Sequence, residues 1–120
     1  MILLALALVA GVPGPSCIRY VHDGDTVKRC DGRRLRLVGI DAPEVRGSPS
    51  CTVTKRSSHW CDYRKGEEAK RALERFIASG KMVIRYTGKV GYYGRPLVRI
   101  MVDGRDAGQW LIAQGLARKW

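Results

Sequence analysis

Two short segments concentrate the acids of a strongly basic chain. Asp23 and Asp25 stand in His22-Asp-Gly-Asp-Thr26, Asp41 and Glu44 in Asp41-Ala-Pro-Glu44, and together they are four of only eleven Asp and Glu residues. The chain also holds 22 Lys and Arg, for a formal net charge of +11, so clustered acids are useful where a cation must be held. A hard cation such as Ca²⁺ takes several oxygens from carboxylates, carbonyls and water. If the fold joins the two turns, Asp25 and Asp41 serve as carboxylate ligands and Ala42 as a carbonyl ligand. Arg36 precedes the second turn and Arg95 lies in Tyr93-Gly-Arg95; both offer the planar fork that suits phosphate. Each feature alone has a plainer reading. Asp-Gly-Asp is a common hairpin turn, Asp-Ala-Pro-Glu a common strand exit, and Arg36 a solvated strand residue. His22 and His59 read as structural or surface residues rather than catalysts. The force lies in the joint pattern, in order and at this spacing.

The elements that must position these groups are legible as periodicity. Ile18 to His22 and Thr26 to Arg29 are β-prone runs around Asp23-Gly24, which predicts a hairpin. Arg33 to Ile40 alternates, with Leu35 and Leu37 on one face and Arg34 and Arg36 on the other, and Gly39 breaks the alternation. Residues 45 to 65 read as a long polar loop. Ala69, Ala72, Leu73, Phe76 and Ile77 form one helical stripe, with Glu67 and Glu68 in the first turn and Gly80 as a left-handed stop. Lys81 to Thr87 and Arg95 to Val102 read as strands around a turn from Gly88 to Gly94. A short helix from about Asp106 to Gln114 follows, ended by Gly115, then a short extended piece from Leu116 to Trp120. Three strands, a helix, two strands and a helix suggest a mainly β, α+β fold: a small closed five-stranded barrel of the oligonucleotide-binding (OB) type. A flat α+β sheet is the alternative.

At 120 residues the chain suits one domain. Residues 2 to 16 are uncharged and read as the apolar region of a signal peptide, which leaves residues 17–120 as the working domain. An uncleaved membrane anchor or a buried first element are the other readings. Four cysteines in an exported chain suggest two disulfides in an oxidising compartment, secreted or periplasmic. Three pairings exist. Cys17–Cys30 across the hairpin and Cys51–Cys61 across the polar loop are favoured, and a zinc site with His59 or His22 is the rival.

The joint pattern resembles the staphylococcal nuclease-like (thermonuclease) family. The likeness runs through Val21-His-Asp-Gly-Asp-Thr-Val27, Arg36-Leu-Val-Gly-Ile-Asp-Ala-Pro-Glu44, Tyr93-Gly-Arg95 and Gln114-Gly-Leu-Ala117. It implies an OB barrel and a Ca²⁺-dependent phosphodiesterase acting on DNA and RNA, which cuts P–O5′ and leaves 3′-phosphates. By position, the resemblance makes Asp25 and Asp41 side-chain calcium ligands and Ala42 a carbonyl ligand. It makes Glu44 the group that activates or orients water, Arg36 and Arg95 the pair on the scissile phosphate, and Tyr93 a phosphate contact. Departures stand beside it. Ala42 replaces a common Thr, Gly91 a common Asp, and Tyr92 a common Lys; Trp120 stands in for one of two stacking tyrosines. The cysteine-rich loop is also unlike the best-known members.

The expected partners are single-stranded DNA and RNA, with duplex DNA as a further substrate. No protein partner is implied, and the chain is read as a monomer. A net charge of +11 disfavours cationic partners and favours polyanions. The alternative function is a non-catalytic nucleic-acid-binding OB module; a cationic membrane- or glycan-binding protein explains the charge but not the clustered acids.

Overall fold

A computed structural model describes residues 16–51 and 59–120. The expected leader therefore lies outside the described residues except for Ser16, as does the middle of the polar loop. Among the described residues no helix is long and apolar enough to cross a membrane.

The chain opens as a meander. β1 (Ile18–Asp23) and β2 (Thr26–Arg29) pair antiparallel, with Val21 opposite Val27 and Asp23 opposite Thr26. β3 (Arg34–Leu37) joins β2 with Leu35 opposite Val27 and Arg36 opposite Thr26. Leu35 and Leu37 are buried while Arg34 is exposed, as the alternation predicts. Val38 and Gly39 form a turn, with Gly39 at φ +80°, and β4 (Ile40–Asp41) follows.

α1 (Tyr63–Ala78) is capped by Asp62, whose side chain accepts from the Lys65 amide at 3.1 Å. Ala69, Ala72, Leu73 and Phe76 are its buried stripe, and Ile77 packs at the edge. Glu67 and Glu68 are not in the first turn, because the helix begins earlier, at Tyr63. Nor does Gly80 adopt a left-handed stop. The helix ends at Ser79, whose backbone and hydroxyl both donate to the Phe76 carbonyl, at 3.1 and 2.6 Å. A Cβ on Gly80 would displace the Asp103 carboxylate, which accepts from the Lys81 amide at 3.1 Å.

β5 (Met82–Val90) and β6 (Pro96–Val102) pair antiparallel, and β5 runs past Gly88 (φ +85°) through a register shift to Val90. The turn expected to begin at Gly88 is therefore confined to residues 91–95. β7 (Arg105–Asp106) pairs with β6, and α2 (Ala107–Ala113) follows. Asp106 caps α2 by accepting from the Gly108 and Gln109 amides, and Gly115 (φ +74°) ends it. β8 (Arg118–Lys119) pairs with β4.

The main sheet runs β1-β2-β3-β6-β5, with β3 and β6 parallel. This is a mixed α+β, OB-type arrangement. It differs from a fully closed ring, because among the described residues no ladder joins β1 to β5. A side chain bridges there instead: the Ile84 amide on β5 donates to the Ser16 hydroxyl at 3.0 Å. Such partial opening belongs to the OB architecture. The core fills the curl with Val27, Leu35, Ile84, Val98, Ile100 and Leu111, all fully buried, and Leu73 and Phe76 of α1 pack on it. Cys17 and Cys30 are joined at the open end of the first hairpin, and Cys51 is joined to Cys61.

Candidate functional site

The two acidic turns meet. Asp25 is 4 % exposed, and its Oδ2 accepts from the Ala42 amide at 2.8 Å, tying the first turn to the second across 17 residues of chain. The Asp25 amide in turn donates to Asp23 Oδ1 at 3.0 Å, a local turn that folds Asp23 inward. The backbones come this close because their neighbours are small. A Cβ on Gly24 would meet the Ala42 Cβ at 2.7 Å and the Ala69 Cβ at 2.9 Å. A Cβ on Gly66 would meet the Glu44 carbonyl carbon at 2.7 Å. Helix α1 thus presses Gly66 and Ala69 directly against both turns and fixes their separation.

Arg36 reaches across the junction. Its Nη1 donates to the Ile40 carbonyl at 2.9 Å and lies 3.4 Å from Asp25 Oδ2, while Nη2 is 3.9 Å from Asp41 Oδ1. The other oxygen of Asp41 is held by Arg118, with Nε at 2.8 Å and Nη2 at 2.7 Å. The β4–β8 register, Asp41 opposite Arg118, sets up that pair. The Arg118 guanidinium also lies over the Trp60 and Trp120 rings, at 5.1 and 6.0 Å.

Arg95 enters from the turn before β6. Its Nη1 donates to the Thr26 hydroxyl at 3.2 Å, and that hydroxyl donates to Asp25 Oδ1 at 2.9 Å. Arginine, threonine and aspartate form one relay that aligns the guanidinium with the acids. Arg95 Nε is buried and makes no hydrogen bond among the described residues. Tyr93 lies against the guanidinium at 5.6 Å and meets Tyr92 edge-on at 4.9 Å.

Glu44 is held by three groups from the cysteine loop. Its amide donates to the Trp60 carbonyl at 2.7 Å, and Ser48 Oγ donates to its Oε1, also at 2.7 Å. His59 Nδ1 stands 3.8 Å from Oε2.

Packing acids in this way has an electrostatic cost. Burial, reinforced by the nearby Asp25 carboxylate, pushes the Asp23 carboxyl up to about 9. Burial and the Arg34 charge lower the His22 imidazole below its ordinary value, which keeps it neutral near pH 7.

Asp23, Asp25, Arg36, Asp41, Glu44 and Arg95 all line one open cleft of about 830 Å³. Tyr92, Tyr93 and Trp120 stand on its rim, 93 %, 73 % and 69 % exposed. The four cysteines do not line the cleft; they tie the hairpin and the loop beside it. Ala42 is fully buried behind the acids, its amide on Asp25. Among the described residues no group of three or more His, Cys, Asp or Glu side chains is arranged to hold a metal ion. A cation here would rest on the oxygens of Asp25 and Asp41, the Ala42 carbonyl and solvent. That all-oxygen donor set suits a hard ion. Thr26, Ser48, Trp60, Gly66 and Arg118 are site residues that the sequence pattern did not reveal. Only the Ser48 spacing, four residues after Glu44, offered a local cue.

Comparison with known proteins agrees with this geometry. Residues 34–120 match the family described as Staphylococcal nuclease homologue. The chain is 30 % identical over 101 residues to Endonuclease YncB of Bacillus subtilis, covering 80 % of this chain and 43 % of that protein. It is 33 % identical over 99 residues to the succinoglycan biosynthesis protein ExoI of Rhizobium meliloti, covering 81 % and 48 %. It is 31 % identical over 101 residues to the SPbeta prophage-derived endonuclease YokF of Bacillus subtilis, covering 80 % and 31 %. The chain thus spans less than half the length of these relatives. With the family match extending from β3 through the second acidic turn, Arg95 and the closing β8 strand, the chain belongs to the staphylococcal nuclease homologue family.

Proposed function

We propose that this domain is an exported, Ca²⁺-dependent nuclease that hydrolyses phosphodiester bonds of DNA and RNA, cutting P–O5′ to leave 3′-phosphates. The observation that carries this reading is the convergence of Asp25, Asp41, Glu44, Arg36 and Arg95 on one open cleft from separate parts of the chain. Two of the relatives are named as endonucleases, which supports the same reaction class. The net charge of +11 suits a polyanionic substrate.

The roles follow from charge. A phosphodiester bears one negative charge, and attack by water that has lost a proton adds another. Arg36 and Arg95 oppose that charge on the phosphoryl oxygens as it develops. The relay from Arg95 through Thr26 to Asp25 keeps its guanidinium from wandering, so little reorganisation is needed at the moment of reaction. Glu44 is the base: its carboxylate accepts the proton of the attacking water. Asp25, Asp41 and the Ala42 carbonyl would hold Ca²⁺, which supplies Lewis-acid stabilisation and a template for the phosphate. Tyr93 supports the phosphate beside Arg95, and Tyr92 and Trp120 offer faces for unpaired bases. Two disulfides and an uncharged N-terminal run support an oxidising destination outside the cytoplasm.

The test is incubation with single-stranded DNA and with RNA, in Ca²⁺ and then in chelator, followed by end-group analysis. Cutting in Ca²⁺ that stops in chelator and leaves 3′-phosphates fits the proposal. Binding without cutting in either condition would replace it with a nucleic-acid clamp on the same barrel.

A further inference from the structure

The described arms of the cysteine loop reach the cleft around Glu44, where Ser48 and His59 stand beside its carboxylate. Going along the chain, Glu44 is followed by Ser48 and then by Cys51 in a short 3₁₀ turn (Pro49–Cys51). The returning arm of the loop brings His59, Trp60 and Cys61. The Cys51–Cys61 bond therefore joins the two arms that hold Glu44. One arm supplies the Ser48 hydroxyl to Oε1 at 2.7 Å. The other supplies the Trp60 carbonyl to the Glu44 amide at 2.7 Å and sets His59 Nδ1 at 3.8 Å from Oε2.

Ser48 is a turn residue that is only 5 % exposed, and its position is fixed from both ends. The Ser48 amide donates to the Val45 carbonyl at 3.1 Å, and the Cys51 amide donates to the Ser48 carbonyl at 3.1 Å. A carboxylate on a strand exit rotates freely unless something holds it. Here backbone, one oxygen and the space beside the other oxygen are all set by the same stapled loop.

We infer that the two arms joined by the Cys51–Cys61 bond, residues 48–51 and 59–61, are a clamp that orients the Glu44 carboxylate, with Ser48 as its positioning residue and the disulfide as the lock that keeps the arms together. This inference rests on the nuclease reading for its effect on rate, but the clamp itself is a structural relationship. Ser48 acts through Glu44 and touches no substrate in this scheme. Export into an oxidising compartment then does more than stabilise the fold: closing the lock completes the site, so the enzyme gains full turnover only once the disulfide has formed.

Two measurements decide it. The first is steady-state cleavage by Ser48→Ala in two backgrounds. The clamp requires kcat to fall roughly tenfold, the loss typical of a supporting hydrogen bond around a reacting group, with KM within about twofold. In a Glu44→Ala background, Ser48→Ala should lower the residual rate no further, because the carboxylate it positions is gone. An unchanged kcat in the single variant, or an equal loss in both backgrounds, overturns the positioning role. The second is amide hydrogen exchange at Glu44, which needs no activity. Exchange should accelerate at least about tenfold when Cys51 and Cys61 are both replaced by Ser, in protein whose core amides stay protected. Unchanged exchange at Glu44 overturns the lock. If the wild-type protein cuts no nucleic acid, the nuclease reading fails and the exchange measurement alone judges the clamp.

Discussion

Arg118 holds Asp41 by two contacts to a single carboxylate oxygen, Nε at 2.8 Å and Nη2 at 2.7 Å, from a strand only two residues long. The pair fastens β8 to β4 and leaves Oδ1, the oxygen nearer Arg36, facing the acidic junction. Arg118→Ala should therefore lower unfolding stability by about 1–2 kcal/mol; the guanidinium is half exposed, which moderates the effect. Arg118→Lys should recover only part, because an ammonium cannot reproduce the fork. Denaturant midpoints measured in chelator check both variants. A wild-type midpoint for Arg118→Ala would mean that the pair is ornamental.

Asp23 predicts an unusual pH response. Its carboxyl is pushed from an ordinary value of 3.8 up to about 9 by burial and by Asp25. Between those values the folded chain holds a proton that the unfolded chain has released, so this group makes stability fall as pH rises through that window. Asp23→Asn keeps the acceptor for the Asp25 amide and removes the titration. In chelator at pH 8 it should raise Tm by about 4–8 °C, corresponding to roughly 1 kcal/mol in a domain of this size. It should also flatten the decline of Tm from pH 5 to pH 9. A variant with the wild-type slope would show that Asp23 is not the source.

Gly66 sets helix propensity against packing. Alanine in a helix interior is favoured over glycine by about 1 kcal/mol. At this position, however, the added Cβ lies 2.7 Å from the Glu44 carbonyl carbon and 3.0 Å from the Pro43 carbonyl oxygen, and backbone cannot swing aside. Gly66→Ala should be net destabilising by about 1–3 kcal/mol, as overpacking usually is, and should reduce cleavage by moving Glu44. Thermal unfolding and turnover measured together check this. A stabilised, fully active variant would mean that α1 does not set the turn.

Much of the scaffold and part of the site could be read from the sequence, and the boundary has a physical cause. Leu35 and Leu37 declare their buried face by alternation, and Ala69, Ala72, Leu73 and Phe76 by helical spacing, because those patterns are local. Asp25 and Asp41 stood out because acids are rare in this chain. Gly80 departs from its sequence pattern for a different reason: glycine after a helix usually marks a left-handed turn, whereas here the helix is closed by Ser79 and Gly80 lies beside the Asp103 carboxylate. Thr26, Trp60 and Arg118 were invisible because their meaning depends on residues 69, 16 and 77 positions away. No local pattern encodes such contacts.

Arg95 lies at the end of a hydrogen-bonded relay and its Nε is buried without a protein acceptor among the described residues. Arg95→Lys keeps the charge but loses the fork and the Thr26 bond. It should lower kcat by about 10²–10³, the range seen when one preorganised donor to a developing anion is lost. Affinity for uncut single-stranded DNA should change far less. Single-turnover cleavage and a binding isotherm separate the two effects, and a loss confined to binding would remove Arg95 from the chemistry.

The most direct measurement compares wild-type protein with Glu44→Gln on single-stranded DNA in Ca²⁺, recording binding and cutting side by side. Glutamine keeps the size of the side chain and can still accept from Ser48, but it cannot take a proton from water. Equal binding with cleavage reduced by about 10²–10⁴ is the result expected of a general base. Cleavage at the wild-type rate by Glu44→Gln would contradict the mechanism at its centre.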